Sequence, residues 1–266
     1  MPRSANAEEI INIGSRRELF VDHFLIESMT GMRLQLQRAR LAEVAIHYER
    51  SWEDVHAFYT TVFQEGDTYR MYYRGRHQEP QTTCYAESHD GIHWTKPPLG
   101  LVSFDGSTQN NILLPTARQF CPFIDLRPDT PLEQRYKANS RDPQRTRHLV
   151  GYVSADGIRW RKVGDAPIVP FALKNNFDSQ NVMFWSEAEK RYVLYARHME
   201  GGRRATARAT STDFLHWTKQ VLMTYSDTET TTPSAHLYTN QTQPYFRPRT
   251  SISRCRVGLF LPTSGT

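Results

Sequence analysis

A chain of 266 residues with a net charge of +5, from 33 basic and 28 acidic side chains, is too mildly and too diffusely basic to imply a nucleic-acid partner. Its aromatic content of 12% suits β-rich packing, and its length suits one large all-β domain. Cys84, Cys121 and Cys255, an odd set with no C-x-x-C spacing, exclude a disulfide framework or a zinc site, and no apolar run is long enough to span a membrane.

Residues 1–16 read as an irregular N-terminus. Met1 to Asn12 lacks the apolar core of a leader peptide, which gives a cytoplasmic expectation. Leu19 to Ile26 is expected to close a sheet or form an outer strand, and Leu34–Leu36 and Val44–His47 are further strand candidates.

Repeats then dominate the chain. The pattern S-x-D-[GF]-[IL]-x-W occurs at Ser88–Trp94, Ser154–Trp160 and Ser211–Trp217, with the tryptophans 66 and then 57 residues apart. Tyr69, Tyr136 and Tyr192 precede those tryptophans by 25, 24 and 25 residues. Two landmarks in register mark stacked supersecondary units.

Each unit reads as four short strands. The first has Tyr59–Phe63, a turn at Gln64–Asp67, then Thr68–Arg74, Cys84–Ser88 and Trp94–Lys96. The second has Pro122–Ile124, Tyr136–Ala138, Leu149–Val153 and Trp160–Lys162; the third has Asn181–Trp185, Tyr192–Ala196, Ala205–Thr210 and Trp217–Lys219. Four antiparallel strands in about 60 residues make a propeller blade, and no stretch holds a helical apolar period. The Ser and Asp of the signature are expected to cap the turn, with each Trp wedged between blades. The ten histidines show no metal-ligand spacing, so neither a metal nor a cofactor is expected.

The blades span about 52–98, 119–164 and 177–222, and a fourth begins at 237–246. The fold expectation is therefore an all-β propeller of four-stranded antiparallel blades, here incomplete, covering 17–246. Beyond Phe246 the composition changes: Arg247, Arg249, Arg254 and Arg256 fall within ten residues without an acid. One synonymous codon choice for Arg249–Arg256, read one base earlier, encodes an alternating strand. Residues 247–266 are accordingly expected to be a frameshifted or otherwise non-native tail, with natural truncation as the alternative.

Six stretches carry a family resemblance: Arg17–Asp22, Tyr69–Gly75, Glu87–Trp94, Asn110–Ile112, Phe177–Asn181 and Tyr238–Gln241. Through them the chain resembles a bacterial branch related to the N-terminal domain of family 32 glycoside hydrolases, whose clan includes family 43 and shares a five-bladed propeller. The resemblance implies a glycan in an axial pocket and three carboxylates facing it from the innermost strands. Two of these would flank a glycosidic bond, one protonating the leaving oxygen and the other attacking or activating water. By register the candidates are Glu53 or Asp54 in blade one, with Glu53 preferred, Asp125 in blade two and Asp178 in blade three. The triplet Arg141-Asp142-Pro143 occurs in the wrong register and reads as a decoy. Gln180, Asn181, Tyr238, Asn240 and Gln241 are expected to hydrogen-bond sugar. Arg74 and Arg197, in matching positions, read as structural partners of Glu87 or similar acids. Two rival expectations stand beside hydrolysis: a non-catalytic glycan-binding or scaffold propeller, and an inactive fragment.

Overall fold

The computed structural model describes residues 12, 14, 23, 25–35, 37–142, 148–169, 177–224 and 236–244. Contacts divide the chain into two compact units, Met1–Glu43 with Phe246–Cys255, and Val44–Tyr245 with Arg256–Thr266. The described residues of the first unit are irregular; a turn closes with Ile26 N donating to His23 O at 3.1 Å. The expected strands at 34–36 and 44–47 are not strands among the described residues, and most of 19–26 and all of 247–266, including Cys255, lie outside them.

The second unit contains three four-stranded antiparallel sheets, each a propeller blade. Blade one is β1 (Phe58–Glu65), β2 (Thr68–Arg76), β3 (Thr82–Ser88) and β4 (Ile112–Pro115). Blade two is β5 (Arg118–Ile124), β6 (Tyr136–Arg141), β7 (Leu149–Ser154) and β8 (Arg161–Lys162). Blade three is β9 (Val182–Ser186), β10 (Arg191–Glu200), β11 (Arg203–Ser211) and β12 (Val221–Leu222). A short 3-10 turn, Leu132–Gln134, precedes β6. The leading strands β1, β5 and β9 neighbour one another in turn and form the inner wall.

The outer strands depart from expectation. In blade one, Glu87 and Thr95 exchange backbone hydrogen bonds of 3.0 and 2.8 Å, but the chain then leaves the sheet. It returns at Asn111, whose carbonyl accepts from Tyr85 N, and runs on as β4. The fourth strand is thus one edge interrupted by residues 97–110. In blade three, Trp217 makes only a bridge to Ser211, and the strand forms later, at Val221–Leu222. An edge strand bonds on one side only, so an insertion there costs little ladder energy.

The signature builds the same hairpin three times. Ser88 Oγ accepts from Asp90 N and Gly91 N, and Asp90 Oδ1 accepts from Ile92 N and His93 N, both at 2.8 Å. Ser154 with Asp156 and Ser211 with Asp213 repeat this pattern. The indole N–H of Trp94, Trp160 and Trp217 donates back to the carbonyl of Gly91, Gly157 and Phe214. All three of those residues have φ of 72–76°, a conformation natural for glycine and uncommon for Phe214, which is held there by burial in the core.

The cores lie largely between blades. Tyr72 and Tyr85 of blade one pack with Phe120 and Ala138 of blade two, and Trp160 closes this cluster. Phe123, Leu149 and Ile168 of blade two pack with Met183, Trp185 and Leu194 of blade three, and Trp217 sits at their margin. Trp94 instead packs within blade one, against the Met71, Tyr73 and Ile112 cluster. The inter-blade seams are also hydrogen-bonded: Arg70 Nη1 and Tyr72 Oη donate to the carbonyls of Asp156 and Gly157 at 2.8 and 3.1 Å.

Candidate functional site

The head of each innermost strand is kinked at the same place. In blade one Phe58 pairs with Arg74 and the next residue, Tyr59, has φ of 57°. In blade two Arg118 pairs with Arg141 and Gln119 has φ of 49°. In blade three Phe177 N donates to Arg197 O, and Phe177 and Ser179, on either side of Asp178, have φ of 63° and 74°. Left-handed backbone at bulky residues is a local strain that surrounding structure must hold. The paired arginines each lie five residues after the landmark tyrosines Tyr69, Tyr136 and Tyr192. The repeat therefore delivers three guanidinium groups to one mouth of the propeller.

Two of them meet at Asp178. Arg197 Nη1 donates to Asp178 Oδ2 at 2.8 Å, and Arg141 Nη1 lies 3.7 Å from Oδ1. Arg74 feels the charges of Asp178 and Asp54 alike, and burial lowers its affinity for the proton. The Arg74 guanidinium lies 4.0 Å from the ring centre of Phe58 and 4.8 Å from that of Tyr59, and donates to the His56 carbonyl. Burial, then the charges of Tyr238 and Asp178, push the Tyr59 phenol well above its usual range. The Asp178 side chain is 53% exposed.

Asp54 reaches the same mouth. Its N–H donates to Gly75 O at 2.8 Å, and its carboxylate accepts from the backbone N–H of His56 at 2.7 Å and His77 at 2.9 Å. Burial raises the Asp54 carboxyl, but these backbone donors outweigh it and hold the group below the ordinary carboxylate range. Its side chain is 20% exposed.

The other two carboxylates are buried elsewhere. Glu53, adjacent in sequence to Asp54, points the opposite way, with 0% side-chain exposure. It accepts from Lys96 Nζ at 2.7 and 2.8 Å, from Tyr73 Oη at 2.5 Å and from Arg50 N at 3.0 Å. Asp125, also with 0% side-chain exposure, accepts from Lys137 Nζ at 2.5 Å and Tyr192 Oη at 2.7 Å. Lys137 and Tyr192 open β6 and β10, whereas Arg141 and Arg197, the partners of Asp178, lie four and five residues further along. Asp125 thus pairs near the start of β6 and β10, and Asp178 toward their far ends. The structure brings Asp54 and Asp178 to one mouth and does not bring Asp125 or Glu53 there.

The expected sugar-binding residues also divide. Gln180 is buried and donates to Thr61 Oγ1 at 2.6 Å, while its own Oε1 accepts from Gln241. Asn181, fully buried, donates to the carbonyls of Phe177 and Ser179, both at 3.2 Å, and so braces the kink around Asp178. Asn240 donates to Tyr195 O at 3.3 Å. Tyr238 is the exposed member, its ring beneath Arg204 and its carbonyl accepting from Ser179 Oγ. Residues 236–244 thus lie along blade three without forming a strand.

Arg197 makes the expected ion pair with an acid, here Asp178, whereas Arg74 donates to the His56 carbonyl, and Arg141, from the triplet set aside as a decoy, lies 3.7 Å from Asp178. Glu87 accepts from Tyr85 Oη, and neither Arg74 nor Arg197 pairs with it. The constant five-residue offset from the landmark tyrosines was the signal that could have found all three. Among the described residues, no group of three His, Cys, Asp or Glu side chains is placed to hold a metal ion, and no helix is long and apolar enough to cross a membrane.

No protein-family model matches the chain, and no curated protein does. Similar solved structures include a fructofuranosidase from Schwanniomyces occidentalis complexed with fructose, 14% identical, with a TM-score of 0.47 over 62% of this chain and 34% of that one. A β-1,2-mannobiose phosphorylase from Listeria innocua is 16% identical, with a TM-score of 0.44 over 64% of this chain and 45% of that one. An N-acetylgalactosamine deacetylase from F. plautii, in complex with blood group B trisaccharide, is 14% identical, with a TM-score of 0.45 over 65% and 55%. The matched region thus spans between about a third and about half of those chains.

Proposed function

We propose that this chain is a carbohydrate-binding propeller whose glycan site is the mouth formed by Asp54, Asp178, Arg74, Tyr59 and Tyr238. The observation that carries the reading is that Asp54 and Asp178, alone among the four candidate carboxylates, have side chains that reach solvent, whereas those of Glu53 and Asp125 are fully buried. Carboxylates and arginines supply the directional hydrogen bonds that sugar hydroxyls need, and the half-exposed rings of Phe58 and Tyr238 supply apolar faces for a pyranose or furanose to cover. The resemblance of Phe177–Asn181 and Tyr238–Gln241 to the family 32 group supports the same location.

Hydrolysis is the second reading, favoured by the placement of two carboxylates on one mouth. It requires one carboxyl group that stays protonated to deliver its proton to the leaving oxygen. Asp54 is held ionised by backbone donors, and Asp178 lies between two guanidinium groups in contact with solvent. Binding without turnover is the better fit to that environment.

The test is a glycan array probed with the full chain, followed by calorimetry on each hit with wild type, Asp178→Asn and Asp54→Asn. Binding that weakens by about ten-fold or more in both variants, with unchanged melting temperatures, supports the site. Hits unaffected by either substitution would place binding elsewhere. Release of reducing sugar by wild type and not by Asp178→Asn would establish the hydrolytic reading instead.

A further inference from the structure

Among the described residues, the heads of the three innermost strands gather arginines from three blades. Arg197 and Arg141, from blades three and two, flank the exposed carboxylate of Asp178 at 2.8 and 3.7 Å, and Arg74 of blade one lies over the ring of Tyr59, whose carbonyl accepts from Gln180 Nε2 of the neighbouring strand head at 3.4 Å. Asp54, the other acid nearby, already accepts from three backbone N–H groups, of His56, His77 and Gln78. Arg74 donates to a neutral carbonyl and faces the His77 ring at 3.3 Å rather than meeting an acid at hydrogen-bond distance. Burial, then the charge of Arg74 beside it, lowers the affinity of His77 for a proton. Arg141 is similarly pressed: burial comes first, and the charges of Arg118 and Arg197 add to it against the attraction of Asp178.

One polar atom of this cluster points to a ligand independently of charge. Arg197 is 8% exposed and its buried Nε has no hydrogen-bond partner. Buried donors of this kind are normally satisfied, so this one needs an explanation. A planar guanidinium fork recognises carboxylate, sulfate or phosphate oxygens with paired, charge-assisted hydrogen bonds, and three from separate elements can enclose one anionic group.

We infer that the three-arginine mouth selects glycans bearing an anionic group, a uronic acid carboxylate or a sulfate ester, over their neutral counterparts. This deepens the glycan-binding reading above and rests on it. The repeat is what makes it possible: the same register in three blades brings three cations to the strand heads, where an anionic substituent offsets their mutual repulsion.

The experiment is calorimetry of the full chain with oligosaccharides containing uronic acid, sulfated oligosaccharides, neutral oligosaccharides of matched length, and inorganic sulfate alone. The expected result is binding of an acidic glycan about ten-fold or more tighter than its neutral counterpart, with the preference shrinking as salt is raised. Arg141→Gln and Arg74→Gln, each checked for an unchanged circular dichroism spectrum, should both drive the acidic-to-neutral ratio toward one. If one variant fails to fold, the other carries the test. Equal affinity for acidic and neutral glycans, or an unchanged ratio in a folded variant, overturns the inference while leaving glycan binding intact. Binding of inorganic sulfate without any preference among glycans also overturns it, since the cluster would then be a free oxyanion site. Failure to bind any glycan removes both this inference and the reading beneath it.

Discussion

Gln180 Nε2 donates to Thr61 Oγ1 at 2.6 Å, across 119 residues of chain, tying the head of blade three to the innermost strand of blade one. Thr61 Oγ1 also lies 3.7 Å from Cys121 Sγ in blade two, and Gln180 Oε1 accepts from Gln241 just past the third blade. One buried glutamine thus links the inner wall of all three blades to the segment beyond them. Truncating it strands a buried hydroxyl as well as losing the bond, so Gln180→Ala should destabilise by about 1–3 kcal/mol. Urea denaturation of Gln180→Ala, Thr61→Val and the double variant should show a coupling of about 0.5–3 kcal/mol. Strict additivity would mean that the bond contributes nothing across the axis.

The signature turns make stability depend on acid pH. Burial raises the Asp156 carboxyl, but the N–H groups of Arg159 and Ile158, the Ser154 hydroxyl and the Arg159 guanidinium bring it down to about 2. The carboxyls of Asp90, held chiefly by His93, and of Asp213, held chiefly by His216 against some burial, also lie below the usual range. A depressed carboxyl stabilises the fold above its unfolded value, about 3.9, and that contribution is lost as pH falls through the folded value. Urea midpoints should therefore fall between about pH 4 and 2, and Asp156→Asn should flatten part of that fall while lowering stability at neutral pH. An unchanged pH profile in Asp156→Asn would show that the turn does not hold its carboxylate in solution.

Two glycines separate backbone strain from packing. Gly157 and Gly164 have φ of 75° and 64°, so either substitution forces an L-residue into left-handed backbone at about 1–2 kcal/mol. A Cβ at Gly164 meets nothing within 4 Å, whereas at Gly157 it would lie 2.7 Å from Tyr72 Oη and 3.0 Å from Arg70 Nη1. Gly157→Ala should therefore cost about 1–3 kcal/mol more than Gly164→Ala in thermal or urea unfolding. Equal costs would mean that the seam between blades one and two is loose enough to accept a methyl group.

The Glu53–Lys96 pair is buried, and its breakage is asymmetric. Lys96→Met leaves Glu53 charged among Tyr73 and Asn111 without its cation, at about 3–5 kcal/mol. Glu53→Gln combined with Lys96→Met removes both charges and should recover much of that loss. Denaturant midpoints of the single and double variants decide it; a double variant as unstable as Lys96→Met alone would argue that Glu53 contributes through packing rather than charge.

Much of the architecture was written locally. The three S-x-D signatures close their turns with bonds between residues two and three apart, and such contacts follow from sequence spacing alone. The strands around Tyr69, Tyr136 and Tyr192 were legible as well, although they are buried in continuous runs rather than in alternation. Outer strands were read less well, because an edge with one bonded neighbour tolerates the excursion at 97–110 and the delay to Val221 without any local signal.

The direction in which side chains point was decided by tertiary structure. Glu53 and Asp54 are consecutive and sit between two turns, closed by Glu53 N donating to Arg50 O and Ala57 N donating to Asp54 O. Only the position of Lys96 and Tyr73 on one side and Arg74 on the other makes one a buried ion pair and the other a member of the mouth. The sequence by itself determined the blades, their turns and the five-residue offset that repeats an arginine three times. That Arg141 and Arg197 meet on Asp178 depends on strands from two blades, more than fifty residues apart, coming together around one axis, and periodicity along the chain carries no record of that meeting.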